Sequence, residues 1–223
     1  MRENHIKEYY QGSRPEVASL INHDPKRVLE IGCGDGSFRS LLKGQFEYWG
    51  IEPFSEAAEL ARKNIDKVFN STYDEAFSEL PDNYFDLIIC NDVIEHLVDH
   101  DSFFKSIKIK MAEGARIVGS VPNVRHLSNL ISLIFKKDWN YQDDGILDRT
   151  HLRFFTEKSL KRTVHQHNYE LEHLEYLKII KPRIHPPRRL FYNILIIFLG
   201  KDTRPLQFGF RITPKNNHSK NDF

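Results

Sequence analysis

A glycine-rich loop that follows a short apolar segment constrains the fold of this chain more than any other feature. Residues 27–31 read RVLEI, and GCGDG follows at 32–36. Glycine lets a backbone turn tightly and approach a ligand closely, and a helix that begins after such a loop offers backbone N–H groups to a polar ligand. The pattern predicts a strand, a ligand-binding loop and a helix over 37–43.

Apolar segments and helical segments continue to alternate along the chain. Strands are predicted at 48–52, 67–72, 85–90, 115–121, 169–176 and 207–212, with helices over 55–63, over 101–111 and from about residue 156. Residues 85–90 read FDLIIC, a continuous apolar run typical of a strand buried on both faces. The alternation predicts an α/β fold with a parallel sheet that helices cover on both faces.

Composition excludes several classes of protein. The chain has 223 residues, and its 32 Lys and Arg against 31 Asp and Glu give a net charge of +1, which argues against DNA as a partner and disfavours RNA. No apolar run reaches the roughly 20 residues that a membrane-spanning helix needs, and the N-terminus lacks the apolar region of a secretory signal. Cys33 and Cys90 do not form a CxxC motif, so we expect a cytoplasmic protein.

An acidic residue follows the second predicted strand. Glu52 lies 20 residues after Gly32, where an acid can accept both ribose hydroxyls of an adenosine. The loop reads GxGxG, with Ser37 where the dinucleotide motif has its third glycine, and this disfavours a pyrophosphate ligand. VLEIGCGDGSF followed by GIEPF resembles the class I S-adenosylmethionine-dependent methyltransferases, from about Arg27 to Val121. The resemblance implies S-adenosyl-L-methionine as the cofactor. It also implies a doubly wound, mostly parallel seven-stranded Rossmann-like sheet whose last strand is antiparallel.

The same resemblance implies roles for individual residues. The residues implied at the methionine end of the cofactor are Glu30, Gly32, Cys33, Gly34 and Gly36. Glu52 would bind the ribose, Pro53 and Phe54 would flank the adenine, and Asn91 and Asp92 would face cofactor and substrate. Tyr10 and Arg14 resemble a segment that closes over the cofactor, although a surface helix explains them equally well. Relatives often carry an acid for the adenine amine where this chain has Asn70 and Ser71.

The domain organisation follows from these assignments. We expect one methyltransferase domain over 1–214, with an N-terminal cap over the cofactor at 1–24. The polar and aromatic insert at 123–161 is too long for a simple connection and is interpreted as a substrate lid after the fifth strand. The tail at 215–223 is polar, and we expect it to be disordered.

A second motif, DVIEH at 92–96, carries candidate catalytic residues. Asp92, Glu95 and His96 have spacings that place them on one face of a helix, and His151 follows in the lid. His96, His151 and Asp92 are candidate bases, and Glu95, His96 and His151 are candidate ligands for Mg²⁺ or Mn²⁺. The motif is similar to the ExxEH segment of small-RNA 2'-O-methyltransferases and to that of ubiquinone-pathway O-methyltransferases. A metal-free base and a purely structural His96 are the alternatives.

The lid suggests a class of acceptor. Its segment DGILDRTHLRFFTEKSL is similar to bacterial methyltransferases found with surface-polysaccharide and glycan assembly, which implies a hydroxyl of a sugar or glycan precursor. The alternatives are a quinone or phenol, an amine or carbon acceptor, an RNA 2'-hydroxyl, and an adenosyl-binding protein without turnover.

An apolar segment near the C-terminus follows a basic one. The basic residues are Lys181, Arg183, Arg188 and Arg189, and the apolar run is 190–199. Residues 181–199 could therefore rest on an anionic membrane. The alternatives are a helix packed on the sheet and the surface of a homodimer.

Overall fold

A seven-stranded sheet lies at the centre of the molecule, which a computed structural model describes over residues 14–179 and 186–215; the side chains at 186–189 and 191 lie outside that description. The strands are β1 (Arg27–Ile31), β2 (Glu47–Ile51), β3 (Lys67–Phe69), β4 (Phe85–Asn91), β5 (Met111–Pro122), β6 (Tyr169–Ile179) and β7 (Pro205–Pro214). Their order in the sheet is β3-β2-β1-β4-β5-β7-β6.

Helices connect the strands. The α-helices are α1 (Pro15–Ala18), α2 (Ser55–Ala61), α3 (Tyr73–Ala76), α4 (His100–Lys110), α5 (Leu127–Ile131), α6 (Glu157–Gln166) and α7 (Pro186–Leu199). Short 3₁₀ turns span Ser37–Leu41, Phe77–Glu79, Ile94–His96 and Lys201–Thr203, and a π-helical turn spans Ser132–Lys136. None of the helices in the described part of the chain has the length and apolarity that crossing a membrane requires.

Register in the sheet brings the ends of three strands together. Ile31 of β1 pairs with Ile51 of β2 and with Cys90 of β4, and all three strands are parallel. The residues that follow these strands therefore meet at one edge, the carboxyl edge of the sheet, where ligands of open α/β sheets bind. The glycine loop, Glu52 and Asn91 all reach that edge.

The last strand runs antiparallel to both of its neighbours, β5 and β6. Because β7 is antiparallel to both β5 and β6, those two strands share one direction. The pairs among β1 to β5 are parallel, so all six strands other than β7 run in the same direction. The predicted fold class, a mostly parallel seven-stranded sheet with an antiparallel last strand, is confirmed.

Apolar side chains cover both faces of the sheet. In β4, Leu87 and Ile89 pack on one face and Ile88 and Cys90 on the other, and all four are fully buried. Burying an aliphatic side chain of this size stabilises a fold by about 1.5–3 kcal/mol. The continuous apolar run FDLIIC therefore reflects a strand with core on both sides.

Local differences from the predictions have simple causes. The helix predicted at 37–43 is a 3₁₀ turn over Ser37–Leu41, because an i, i+3 apolar spacing suits either kind of helix. β5 begins at Met111, earlier than predicted, since Met111 pairs with Phe85 across an irregular register. Most of the predicted N-terminal cap and residues 216–223 of the predicted tail lie outside the described residues.

Candidate active site

A cavity of about 670 Å³ opens at the carboxyl edge of the sheet, within the size range of small-molecule sites. Of the predicted site residues, it is lined by Arg14, Glu30, Gly32, Cys33, Gly34, Glu52, Pro53, Asn91, Asp92, His96 and His151. Gly36, Phe54 and Glu95 do not line it, and Tyr10 lies outside the described residues. The structure thus brings the motifs of the first half of the chain and the lid to one site.

The glycine loop is held against the end of β2. The backbone N–H groups of Gly32 and Cys33 both donate to the carbonyl of Ile51, at 2.8 and 3.1 Å. Gly32, Gly34 and Gly36 have φ angles of 68°, 52° and 76°, a region that side chains disfavour. Gly36 contributes through this turn and through its close packing on Ala61 and Ile65, which explains its position behind the cavity wall.

Glu52 joins the glycine loop to the chain that follows β2. One carboxylate oxygen accepts a hydrogen bond from Gly34 N at 2.9 Å, and the other accepts one from Phe54 N at 2.9 Å. Burial raises the pKa of this carboxyl, while the two N–H donors act in the opposite direction. Each oxygen keeps a further lone pair, so Glu52 can shape the loop and accept a ligand hydroxyl at the same time.

Glu30 forms part of the cavity floor. Its carboxyl accepts a hydrogen bond from the Tyr48 hydroxyl at 2.7 Å and a longer one from Asn91 Nδ2 at 3.5 Å. Burial raises the pKa of Glu30 from an ordinary value of 4.5 to about 8. We therefore expect a neutral Glu30 at neutral pH.

The loop after β2, which contains Pro53, forms the side of the cavity where we predict the adenine. Asn70 Nδ2 donates to the carbonyls of Glu52 and Pro53, at 2.9 and 3.2 Å. Thr72 and Tyr73 follow and line the cavity beside Pro53. Asn70 therefore supports the loop that carries Glu52.

Asp92 is surrounded by donors. Arg14 lies 2.5 Å from Oδ2 in an ion pair, Ser120 Oγ donates to Oδ1 at 2.6 Å, and Gln207 Nε2 donates to Oδ2 at 2.6 Å. Arg14 and Gln207 thus come to the cavity from opposite ends of the chain. These contacts hold the carboxylate of Asp92 in place, and its action as a base stays a prediction.

The DVIEH motif does not form the predicted helix. Asp92 has a positive φ of 51°, which no helix continues through, and only Ile94–His96 forms a 3₁₀ turn. The predicted common helical face for Asp92, Glu95 and His96 is therefore wrong. Glu95, His96 and His151 nevertheless meet, with one candidate ligand atom from each within 4.8 Å of the others.

Hydrogen bonds orient the two imidazole rings. His96 Nδ1 lies 3.2 Å from the carbonyl of Thr150, and His151 Nδ1 lies 3.1 Å from the carbonyl of Ile146. A carbonyl only accepts, so Nδ1 carries the proton in each ring and Nε2 is the acceptor nitrogen. Backbone carbonyls orient metal-ligating histidines in the same way.

Glu95 is fully buried, and neither of its carboxylate oxygens has a hydrogen-bond partner among the described residues. Burial raises the pKa of this carboxyl well above its ordinary value. Buried carboxyl oxygens without a partner destabilise a fold. A divalent cation beside two imidazole acceptors would serve as that partner, so these three residues could hold such a cation, and Mg²⁺ and Mn²⁺ stay the predicted ions.

Backbone contacts fix the lid over this cluster. The N–H groups of Leu152 and Arg153 donate to the carbonyl of Glu95, at 2.8 and 3.0 Å. Thr150 donates from its N–H and its hydroxyl to one oxygen of Asp148, at 2.8 and 2.6 Å. His151 is held in place by these contacts on both sides of it.

Further residues that line the cavity were not predicted: Thr72, Tyr73, Asp148, Thr150, Lys178 and Gln207. Asp148 and Thr150 lie in the predicted lid, in the same segment as His151, and that proximity is a signal in the sequence. Lys178 and Gln207 reach the cavity because β6 and β7 follow β5 in the sheet, which no local pattern reveals.

The sheet order, the glycine loop and the buried acid after β2 together define the Rossmann-like fold of S-adenosylmethionine-dependent methyltransferases. A family model described as "Methyltransferase domain" matches residues 2–174. The chain belongs to this methyltransferase family.

Relatives and solved structures agree with that assignment. The chain is 28% identical over 116 residues to a ubiquinone biosynthesis O-methyltransferase of Aeromonas salmonicida, a match that covers 49% of this chain and 48% of the relative. The human mitochondrial enzyme of the same name is 23% identical over 137 residues, covering 54% of this chain and 37% of that protein. The chain thus spans about half the length, or less, of these relatives.

Two solved structures show the same fold over nearly the whole chain. A methyltransferase structure from Archaeoglobus fulgidus has a TM-score of 0.67 and 21% identity, and the match covers 94% of this chain and 98% of that one. The plantazolicin methyltransferase BamL, solved with a substrate analogue and S-adenosylhomocysteine, has a TM-score of 0.63 and 16% identity. That match covers 97% of this chain and 92% of BamL.

Proposed function

We propose that this chain is an S-adenosylmethionine-dependent O-methyltransferase that methylates a hydroxyl of a sugar or glycan precursor. The observation that carries the proposal is the Glu95, His96 and His151 cluster, which lies beside the cavity that the glycine loop and Glu52 define. Family membership supports the reaction class, and the cluster supports oxygen as the methylated atom.

The cavity residues fit the proposed cofactor. Glu52 faces the cavity with lone pairs suited to ribose hydroxyls, and Arg14 lies at the cavity wall, where it can meet a carboxylate. The glycine loop leaves room for a close backbone approach. The bound cofactor supplies an electrophilic methyl group on a sulfonium.

The protein's own contribution is alignment and removal of a proton. The hydroxyl must lie in line with the methyl group, since a well-oriented pair of reactants reacts far faster than a free pair. In both His96 and His151, Nε2 is the acceptor nitrogen. Either nitrogen can take the hydroxyl proton or hold a cation. A cation held there would lower the pKa of the acceptor hydroxyl.

Polar groups in the cavity support a polyhydroxylated acceptor. Asp148, Thr150, Lys178 and Gln207 line the cavity, together with apolar side chains such as Leu97, Ile146 and Leu206. Sugar hydroxyls need hydrogen-bond partners when they are buried, and two adjacent hydroxyls can share one cation. The polar side chains of this cavity wall can pair with sugar hydroxyls.

A quinone-type phenol is the second candidate acceptor. The observation that favours it is the printed name of relatives such as the Aeromonas salmonicida protein, a ubiquinone biosynthesis O-methyltransferase. A catechol also offers two adjacent oxygens to one cation. A sugar and a catechol could therefore bind the cluster in the same way, through two adjacent oxygens, and they differ in the rest of the acceptor molecule.

The test is methyl transfer from labelled S-adenosylmethionine to a panel of nucleotide sugars, glycans, catechols and RNA, with Mg²⁺, with Mn²⁺ and with a chelator. Glu95→Gln removes the candidate ligand while keeping the shape of the neutral acid, and Glu113→Gln changes an exposed acid as the matched control. We expect methyl transfer to sugars. Its rate should fall at least about tenfold, equivalent to 1.4 kcal/mol of activation free energy, with the chelator and in Glu95→Gln.

Different outcomes separate the parts of the proposal. Transfer to catechols and not to sugars would replace the acceptor. Transfer that neither the chelator nor Glu95→Gln affects would contradict the cation site and leave a metal-free histidine base. No transfer to any acceptor by a protein that binds the cofactor would favour an adenosyl-binding protein.

A further inference from the structure

The helix α7 has an apolar stripe that no described part of the chain covers. Leu190, Ile194, Ile197 and Phe198 are all exposed, and their i, i+4, i+7, i+8 spacing places them on one helical face. Ile197 is 78% exposed and Phe198 is 82% exposed. None of the side chains described in this helix is buried.

The topology places α7 at the carboxyl edge of the sheet, where the cavity opens. The helix connects the end of β6 to the start of β7, and Gln207 near that start pairs with Pro122 at the end of β5. Arg125, at the base of the lid, donates to the carbonyl of Leu199 at 2.6 Å and to Asp202 at 2.7 Å. These bonds tie the end of α7 to the lid.

The lid adds a second exposed apolar segment. Leu133, Ile134 and Phe135 follow α5 in the π-helical turn, and all three are exposed. Lys136 and Lys137 come directly after them. Because the lid leaves the sheet at the end of β5, this segment belongs to the same edge of the molecule as α7.

The sequence segment that contains α7 carries charges of one sign. From residue 181 to residue 201 the sequence has Lys181, Arg183, Arg188, Arg189 and Lys201, and it has no Asp or Glu. The net charge of the whole chain is only +1, so this segment is distinctly basic. Each Lys or Arg near an anionic membrane surface adds to the attraction between the chain and that surface.

We propose that α7 and the lid segment 133–137 dock on the surface of a bilayer that contains anionic phospholipid. The apolar stripe enters the headgroup region, and the exposed Lys136, Lys137 and Lys201 contact lipid phosphates. At 14 residues, α7 is about 21 Å long, shorter than the roughly 30 Å hydrocarbon core, so it lies along the membrane surface. A two-fold contact between two copies would instead bring two basic segments together, which opposes association.

Vesicle flotation of the full chain tests the proposal without reference to catalysis. The vesicles are phosphatidylcholine alone, or phosphatidylcholine with an equal part of phosphatidylglycerol, at low and at raised salt. The test variant is the Ile197→Asp, Phe198→Asp double substitution. The control is Ile109→Asp, which changes an exposed residue of α4 next to the start of β5, at the opposite edge of the sheet.

We expect the chain to float with phosphatidylglycerol vesicles and to bind at least about tenfold less to phosphatidylcholine alone or at raised salt. The double variant should bind at least about tenfold less than the native chain, and Ile109→Asp should bind as the native chain does. If the double variant does not fold, Arg188→Ala with Arg189→Ala should show the same loss.

Equal flotation of native chain and variants would overturn the proposal, as would no flotation of the native chain. A dimer in solution that the double substitution converts to a monomer, without vesicle binding, would show that a second copy covers the stripe.

Discussion

Glu30 and Glu95 are both buried carboxyls, yet their surroundings differ. Glu30 has hydrogen-bond partners in Tyr48 and Asn91, whereas both oxygens of Glu95 lack one among the described residues. A buried polar group without a partner costs about 1–3 kcal/mol. The fold itself therefore accounts for the first residue, and the proposed cation would account for the second.

The raised pKa of Glu30 makes stability depend on pH. Between its ordinary value of 4.5 and a folded value of about 8, the folded chain holds a proton that the unfolded chain has lost. The free energy of unfolding should therefore fall as pH rises through this window, by up to about 1.4 kcal/mol per pH unit. Above about pH 8 the titration of Glu30 should change it no further.

Glu30→Gln removes this titration and keeps an acceptor for the Tyr48 hydroxyl. We expect urea unfolding of the ligand-free variant to depend less on pH between about pH 5 and 8 than that of the native chain. Glu113→Gln, at an exposed position, should follow the native curve. Parallel curves for the native chain and Glu30→Gln would contradict a protonated Glu30.

Glu95 gives a second prediction, on metal-dependent stability. A ligand that binds only the folded state stabilises it by RT ln(1 + [L]/Kd), about 2.7 kcal/mol at 100 times Kd. We expect Mn²⁺ to raise the Tm of the native chain and of Glu113→Gln. Glu95→Gln should have a metal-free Tm close to the native one and should gain little from Mn²⁺. An equal gain in all three proteins would contradict Glu95 as a ligand.

At the scale of elements, the pairing of β4 with β5 leaves no room for a side chain at Gly119. A Cβ built at this position would lie 2.1 Å from the carbonyl oxygen of Cys90 and 2.9 Å from the ring of Phe210. The first atom is backbone and cannot move without breaking the strand pair. Gly119 thus sets the distance between two central strands.

Gly119→Ala should therefore destabilise the fold strongly, by at least about 3 kcal/mol. Gly114→Ala is the matched control, because no atom lies within 4 Å of a Cβ at Gly114, although its φ of +73° still costs some strain. Denaturant midpoints of the two variants measure the difference. Similar midpoints would show that β4 and β5 can separate to admit a methyl group.

The elements themselves were largely predictable from local patterns. Apolar runs such as FDLIIC and RVLEI became strands, because burial on both faces requires such runs. The helical face predicted for the DVIEH motif was wrong, since a positive φ at Asp92 begins a short turn there. The cluster forms because backbone bonds from Leu152 and Arg153 to Glu95 bring the lid to His96, and local spacing carries no such information.

At the scale of the whole molecule, the site joins parts of the chain that are far apart in sequence. Gln207 and Asp92 are 115 residues apart, and Arg14 and Ser120 are 106 apart, yet Gln207, Arg14 and Ser120 all contact the carboxylate of Asp92. The glycine loop and Glu52 could be predicted because both follow neighbouring strands. Lys178 and Gln207 could not, because their place depends on β7 lying between β5 and β6.

The central claim is that the carboxyl edge of the sheet binds S-adenosylmethionine through the glycine loop and Glu52. Calorimetric titration with the cofactor and its demethylated product, on the native chain and on Glu52→Gln, tests it most directly. The glutamine has only one terminal oxygen, so its two terminal atoms cannot accept the hydrogen bonds from both Gly34 and Phe54. We expect micromolar binding, roughly 8 kcal/mol, and a loss of at least about tenfold in the variant. No binding to the native chain, or equal binding to both proteins, would contradict the claim.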